Sequence, residues 1–289
     1  MGTFVTIKVD EKDKKVLEEA FSIFQTVENA LSSYSSNSPI YRLNRDKKAI
    51  LFQDTYEALE LSKRYYKETE GYFNIAIGAI SKDLYRFGEA QRIPSPYELE
   101  HSVVCFEGLH YNKVSAYIES KIKIDLGGMG KGFGVDKVAA MLREKSIGAT
   151  IAASGDIRCL EICRIEIQDP FQEGSFVVFR TKQADMGVST SGNYNRFVET
   201  PKHNHLINPK TKHSQHNFIS ITLIGNIPNA DLDAYATAVS VMPKQKAYAF
   251  LVAREIAYII IESDLRVVVS SNLQEFAVLE SPIKELKSR

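Results

Sequence analysis

Apolar residues at Val16, Leu17, Ala20, Phe21, Phe24, Val27 and Leu31 recur three and four positions apart, so the spacing predicts a helix over 11–31 with one face in the core. The polar run Ser32-Ser33-Tyr34-Ser35-Ser36-Asn37-Ser38-Pro39 then reads as a loop. A second helix is predicted over 54–68, capped by Asp54 or Thr55, with Leu59, Leu61 and Tyr65 inward and a stop at Gly71. From 103 onward the pattern shortens to β-branched and aromatic runs at 103–106, 121–124, 150–153, 164–167 and 176–179. Further runs at 185–189, 194–199, 219–224, 256–261 and 265–270 continue it, interrupted by helices over 131–145 and 230–254. Together with an opening strand, these elements predict an α+β fold with mixed, mainly antiparallel sheets packed with helices. No repeat or linker marks a boundary, so the chain reads as one domain over 1–289, with a helix-rich part to about residue 100 and a strand-rich remainder.

Composition narrows the class without naming it. With 44% hydrophobic and 25% charged residues, the chain is neither disordered nor fibrous. Thirty-six Lys and Arg balance thirty-six Asp and Glu, which gives no reason to expect a nucleic-acid partner or an anionic membrane surface. No apolar run reaches the roughly 18 to 20 residues that cross a bilayer, so no transmembrane segment is expected. Cys105, Cys159 and Cys163, an odd number with no Cys-x-x-Cys, read as buried free thiols without a functional role.

Local chemistry concentrates in three places. Between a strand and a helix, Asp125-Leu126-Gly127-Gly128-Met129-Gly130-Lys131-Gly132-Phe133-Gly134 packs glycines around one lysine. Glycine permits positive φ and close approach of backbone to ligand, and a helix start offers free N–H groups to an anion. The segment matches neither a Walker A loop, which needs Ser or Thr at Gly132, nor a dinucleotide Gly-x-Gly-x-x-Gly; a tight turn is the plain alternative. Second, Asp233 and Thr237 are four apart and stack on one helix face, offering two hard oxygens to Mg²⁺; equally, Asp231 or Asp233 could cap the helix. Third, Val188-Ser189-Thr190-Ser191-Gly192 runs into a hydroxyl-rich turn, followed by His203 and His205 two apart on a strand; no third ligand suggests zinc.

Eight segments in order carry a resemblance: Met-Gly-Thr at the start, Ser-Pro-Ile-Tyr-Arg-Leu-Asn, Gly-Tyr-Phe-Asn-Ile-Ala-Ile-Gly, Asp-Leu-Gly-Gly-Met-Gly-Lys-Gly, Ala-Ser-Gly-Asp, Val-Ser-Thr-Ser-Gly-Asn-Tyr, His-Leu-Ile-Asn-Pro-Lys-Thr and Asp-Ala-Tyr-Ala-Thr-Ala. Over residues 1 to about 243 the chain resembles the ApbE family of FAD:protein FMN transferases. The resemblance implies a Mg²⁺-dependent enzyme that moves FMN from FAD to a Thr or Ser hydroxyl of an acceptor flavoprotein and releases AMP. It also implies an address at the bacterial periplasm or the outer face of the inner membrane, carried by a leader. By position it implies flavin-dinucleotide contacts at Met1, Tyr34, Tyr72, Phe73, Asn74, Asp125, Lys131 and Ile207, and metal ligands at the Gly128 carbonyl, Asp233 and Thr237.

Phosphoryl transfer to a hydroxyl needs positive charge on the pyrophosphate and a proton acceptor. Lys131 supplies charge or pairs with Asp125; His205 and Asp156 are the proton-handling candidates, His205 ranking first as a donor to the pyrophosphate; Thr190 and Ser191 are placed in the pocket wall. Compared with the family, Asn74 and Asn208 stand where Asp is common, Gly130 where Ala is, Ser154 where Gly is, and His213 where Gly ends the turn. The competing expectations are an FAD pyrophosphatase, with water as nucleophile, and a flavin-binding protein without catalysis.

Overall fold

The structure, a computed structural model, describes residues 3–284 and 286. After β1 (Val5–Val9), a 3-10 turn at Glu11–Val16 leads into α1 (Leu17–Leu31). The polar break is shorter than its composition suggests, because Ser38 accepts the Ile40 amide and starts α2 (Pro39–Asp46), with Pro39 in the first turn where its missing N–H is harmless. β2 (Lys48–Ile50) and α3 (Gln53–Glu68) follow; Asp54 and Thr55 do not cap α3, and Thr55 instead donates to the Ala30 carbonyl at 2.9 Å. A π-helical turn spans Ala79–Leu84, and a reciprocal Ser95–Glu98 capping box starts α4 (Pro96–His101).

β3 (Leu109–Tyr111), β4 (Ser115–Ile118) and α5 (Gly130–Glu144) precede a strand-rich stretch. This comprises β5 (Ala149–Ala153), β6 (Asp156–Cys159), β7 (Arg164–Gln168), β8 (Ser175–Thr181), β9 (Met186–Gly192), β10 (Phe197–Val198), β11 (Thr200–Asn204) and β12 (Phe218–Gly225). The chain closes with α6 (Asn229–Val241), α7 (Lys244–Val252), β13 (Ala257–Glu262), β14 (Val267–Val269), α8 (Leu273–Phe276) and β15 (Ala277–Leu279). The helix expected over 230–254 is therefore two, because Pro243 lacks an N–H and cannot continue α6. The runs at 103–106 and 121–124 are not strands. Ile122 and Ile124 fill the core from an extended segment that makes a single parallel bridge, Ile77 to Lys123.

Seven antiparallel strands form the central sheet in the order β1-β5-β6-β9-β12-β13-β14. One face packs on α5 and α6. The other is covered by the smaller sheet β15-β8-β7 through Ile165, Phe176, Phe179, Val188 and Ile259. A separate cluster of Phe24, Val138, Leu142 and Ile151 fixes α1 and α5 against β5. The largest apolar cluster runs from Val27 to Ile260 and takes in α3, α6 and the sheet β2-β4-β3, so the helix-rich and strand-rich parts share one core.

Cys159 and Cys163 are joined as a disulfide across the β6–β7 connection, with Cα atoms 5.8 Å apart, which corrects the reading of both as free thiols. Sequence spacing misleads here because the turn between two neighbouring strands brings close a pair that matches no motif. Cys105 is the free, half-buried cysteine.

Candidate active site

α6 is buried at twelve of its thirteen residues, and Thr237 is the exception. At that opening the Thr237 hydroxyl lies 3.3 Å from the Gly128 carbonyl, which belongs to the glycine turn before α5. One helical turn back on the same face is Asp233. Glycine is needed at this crossing: a Cβ on Gly132 would stand 2.2 Å from the Asn229 carbonyl, and one on Gly128 would press against Thr237 and Phe73. None of the glycines from 127 to 134 has a positive φ, so their use is close approach rather than left-handed backbone.

Lys131 projects from the first turn of α5 between two buried carboxylates. Its Nζ is 3.0 and 3.1 Å from the oxygens of Asp233 and 2.9 Å from Asp156 Oδ2. Asp233 also accepts the Gly132 amide at 3.2 Å, and Asp156 accepts the Ser189 hydroxyl at 2.6 Å. Burial, followed by the negative charge of Asp233, pushes Asp156 up to about 7; its Oδ2 has no well-angled hydrogen bond. Lys131 stays charged, because the two carboxylates outweigh its burial. Two carboxylates, one ammonium, a carbonyl and a hydroxyl leave this corner net negative and rich in hard oxygens, which suits a small divalent cation. Among the described residues, no three His, Cys, Asp or Glu side chains converge to hold a metal, so any such ion depends on the carbonyl and hydroxyl.

Asp125 belongs to a second group, which corrects the alternative that pairs it with Lys131. It accepts the Ser81 hydroxyl at 2.6 Å and the Gly127 amide at 3.0 Å, and Lys82 Nζ stands 3.5 Å away. Burial alone would raise its pKa, but Lys82, Ser81 and the Gly127 N–H hold it below the usual carboxylate range. Lys82 also donates to the Tyr34 hydroxyl at 2.6 Å and lies 4.1 Å from its ring centre, while Tyr34 donates to the Phe87 carbonyl at 2.8 Å. Tyr34, 48% exposed, is thus a held aromatic surface and not a free loop residue. A polar hollow of about 230 Å³ opens beside Lys82, but its lining includes none of Lys131, Asp156 and Asp233.

His205 follows β11, its ring 6.5 Å from that of Phe87, while His203 is 6.5 Å from Tyr85; the two aromatics stack on each other at 5.1 Å. Nδ1 of His205 is 3.0 Å from the Arg196 carbonyl, which can only accept, so Nδ1 carries the proton and Nε2 keeps a lone pair. Burial, with Arg196 nearby, pushes this histidine down to about 4, leaving it neutral at pH 7. A neutral ring with Nε2 unprotonated favours proton acceptance over the donor role ranked first from sequence.

The remaining candidates scatter around these groups. Phe73 is buried behind Gly128, edge-on to Tyr65, and Tyr72 lies under Lys210 at 4.4 Å and Lys246 at 5.5 Å. Asn74 Oδ1 accepts the Ala76 amide, and Ile207 is buried with Ile80 and Phe87. Ser191 shares the helix-side face of β9 with Ser189, whereas Thr190 points to the other face and bonds Thr222 at 3.0 Å. Met1 lies outside the described residues. Asp231 is turned away from Asp233 and bonds Tyr65 and Arg64. The cap of α6 comes from α5: Asp136 accepts the Asn229 and Ala230 amides at 2.8 Å each.

Two departures from the family pattern, at Asn208 and His213, have local reasons. Asn208 donates its side-chain amide to the Val241 carbonyl at 2.9 Å, which a carboxylate could not do. The left-handed position of the following turn is Lys212, φ 64°, and not His213. Ser154 holds φ 57°, where glycine would be unstrained. Sequence reading missed Ser81, Lys82, Ser189 and Arg196; Ser189 stands inside the hydroxyl-rich run beside the chosen Thr190 and Ser191, and only a charged residue within a mainly apolar stretch hinted at Lys82.

Comparison with known proteins finds relatives in both sequence and fold. The chain is 28% identical over 287 residues to an FAD:protein FMN transferase of Treponema pallidum, spanning 87% of this chain and 79% of the relative. It is 26% identical to a Vibrio cholerae protein of the same name, spanning 90% and 85%. Among solved structures, the ApbE protein of Thermotoga maritima superposes with a TM-score of 0.85 at 20% identity, covering 95% of this chain and 96% of that one. The flavin transferase ApbE of Vibrio cholerae gives 0.81 at 22%, covering 96% of each. The model of the ApbE family matches residues 1–260, and the chain belongs to that family.

Proposed function

We propose that this protein is a Mg²⁺-dependent FAD:protein FMN transferase. The observation that carries the reading is the opening in α6, where Thr237 meets the Gly128 carbonyl beside the Lys131–Asp233–Asp156 cluster. Family membership and relatives that bear this name support it. Gly128, Asp233 and Thr237 would hold Mg²⁺, which supplies neutralisation of pyrophosphate charge and Lewis-acid polarisation of a phosphoryl oxygen.

In the transfer, the Thr or Ser hydroxyl oxygen of the acceptor protein attacks the phosphorus on the FMN side of FAD. A phosphoester bond forms, the P–O bond to the bridging oxygen breaks, and AMP leaves with that oxygen. His205 Nε2 takes the hydroxyl proton. Lys131 places positive charge beside the pyrophosphate while Asp156 and Asp233 hold its ammonium in place. Tyr34, braced by Lys82 and the Phe87 carbonyl, offers a ring face to one of the two aromatic systems of FAD. The Cys159–Cys163 bridge supports action in an oxidising compartment, in keeping with the address at the outer face of the bacterial inner membrane.

The test is incubation with FAD and Mg²⁺, with and without a domain bearing an acceptor threonine, reading AMP and acceptor mass together. AMP with an FMN-sized mass gain is the expected result. AMP without regard to acceptor would make the enzyme a pyrophosphatase, and intact bound FAD in both arms would make it a flavin-binding protein.

A further inference from the structure

The chain is neutral overall, but its charge is not evenly spread. Between Arg196 and His216 there are four Lys or Arg against one carboxylate, Glu199, and four of the six histidines of the whole chain. The segment folds back on itself through the Ile207–Ser214 bridge and the Gln215 N–H to Leu206 carbonyl bond. Asn204, Leu206, Ile207, Ser214 and Gln215 are buried in that fold. The outer side is left to Lys202, Lys210, His213 and His216, which are exposed and make no ion pair with any described residue. His203, His213 and Lys202 lie close enough to His216 to disfavour its protonated form, after burial. The same hairpin carries His205 inward, so an outer surface whose charges are Lys202 and Lys210, with His213 and His216 beside them, and a site residue sit on one element.

We propose that the outer side of this hairpin docks an acidic segment of the protein that carries the acceptor hydroxyl. The proposal rests on the transferase reading above. Charge complementarity selects this occupant: Lys202 and Lys210, set apart on the hairpin, match carboxylates spaced along a chain, whereas the two adjacent phosphates of a dinucleotide need one compact cradle. A membrane is disfavoured because none of the exposed large apolar side chains falls between 196 and 216, and electrostatic attraction alone anchors weakly. Docking here guides the acceptor to the histidine side of the site, and rim charges of this kind act chiefly on association rate and salt dependence.

The experiment uses the full chain and two fluorescent peptides with one central threonine, one flanked by Asp and Glu, the other by Asn and Gln at the same positions. Binding is read by anisotropy, with FAD and Mg²⁺ present, at low and high salt. The acidic peptide is expected to bind about ten-fold more tightly at low salt and to lose that advantage at high salt. The triple variant Lys202→Glu/His213→Glu/His216→Glu abolishes the preference, and Lys202→Gln/His213→Gln/His216→Gln reduces it with less perturbation of the surface. FAD affinity stays unchanged in both. Equal binding of the two peptides, or a preference that survives both variants, overturns the proposal. So does binding to phosphatidylglycerol vesicles with no binding of the acidic peptide. Because anisotropy needs no turnover, acidic-peptide preference without any FMN transfer supports docking while counting against the transferase reading.

Discussion

Lys131, in the first turn of α5, holds both oxygens of Asp233 on α6, at 3.0 and 3.1 Å. The contact joins the glycine turn to the helix that carries the proposed metal ligands. Since the same ammonium also neutralises Asp156, its loss leaves two buried like charges facing each other.

Lys131→Met is therefore expected to destabilise the metal-free protein by about 3 kcal/mol, the order seen when one partner of a buried pair is removed. The pH dependence has a definite sign. Asp156 already titrates high, at about 7, and without Lys131 it rises further, so protonation relieves the repulsion as pH falls. Urea unfolding at pH 8 and pH 6 checks this: the deficit of the variant should be larger at pH 8. A deficit independent of pH would show that lost packing dominates.

Asp233→Asn and Thr237→Val should separate metal binding from folding. Both side chains meet the opening in α6, and both replacements are close in size. Mg²⁺ is expected to raise the melting temperature of the parent protein and to leave that of Asp233→Asn unmoved, with Thr237→Val between them. A full Mg²⁺ response in Asp233→Asn would remove that residue from the ligand set.

For His205 the readout is a pH profile. Burial and Arg196 hold its pKa near 4, so the neutral, proton-accepting form persists down to that pH. The acid limb of kcat/KM is expected near 4 and not near the ordinary histidine value of about 6.5. His205→Gln should lower kcat about 10²-fold with little change in FAD affinity. In stability the same depression acts in one direction: the contribution is complete above about 6.5 and is lost as pH falls through 4, because the unfolded chain binds the proton first.

Ser154→Gly should stabilise the protein by up to about 1 kcal/mol. Ser154 adopts φ 57° in the β5–β6 turn, a conformation that costs a Cβ-bearing residue about 1 to 2 kcal/mol, partly offset by the greater unfolded-state freedom of glycine. Thermal unfolding measures the gain. An unchanged or lower midpoint would mean that the serine repays its strain through contacts of its own.

The disulfide gives a count. Thiol titration of the unfolded, unreduced chain should find one reactive cysteine, Cys105, and reduction should raise the number to three. Reduction is expected to cost about 2 kcal/mol for so short a loop, and a Cys159→Ser/Cys163→Ser variant should not respond to it.

Much of the architecture was legible from periodicity. The helices at α1, α3 and α5 and the strands β5, β7, β8, β9, β12 and β13 follow spacings that tertiary context did not override, whereas β6 gave no β-branched run to read. What failed did so for identifiable reasons. Pro243 was hidden inside a long apolar helical pattern, and Ile122 and Ile124 gave a β-like run whose backbone found no ladder. At the site, Asp233 and Thr237 were visible because their spacing encodes a shared face, and the glycine turn because of its density of glycines around one lysine. The partition of charges was not: that Lys131 serves Asp233 and Asp156 while Lys82 serves Asp125 depends on how α5, β6 and the π-helical turn meet in space, across separations of 25 to 102 residues.

Burial of α6 on nearly every side has a consequence for how such a protein can diverge. A helix wedged between a sheet and two other helices tolerates few substitutions and cannot drift in position, so the oxygens at Asp233 and Thr237 keep their setting whatever happens elsewhere. The hairpin that bears His205 buries its inner side, where Asn208 bonds the Val241 carbonyl at the end of α6, and presents Lys202, Lys210, His213 and His216 to solvent. Variation can accumulate there without disturbing the interior helix. The outer residues of the hairpin and the interior helix are thereby free to change at different rates, while His205 keeps the inner side of the hairpin tied to the proposed reaction.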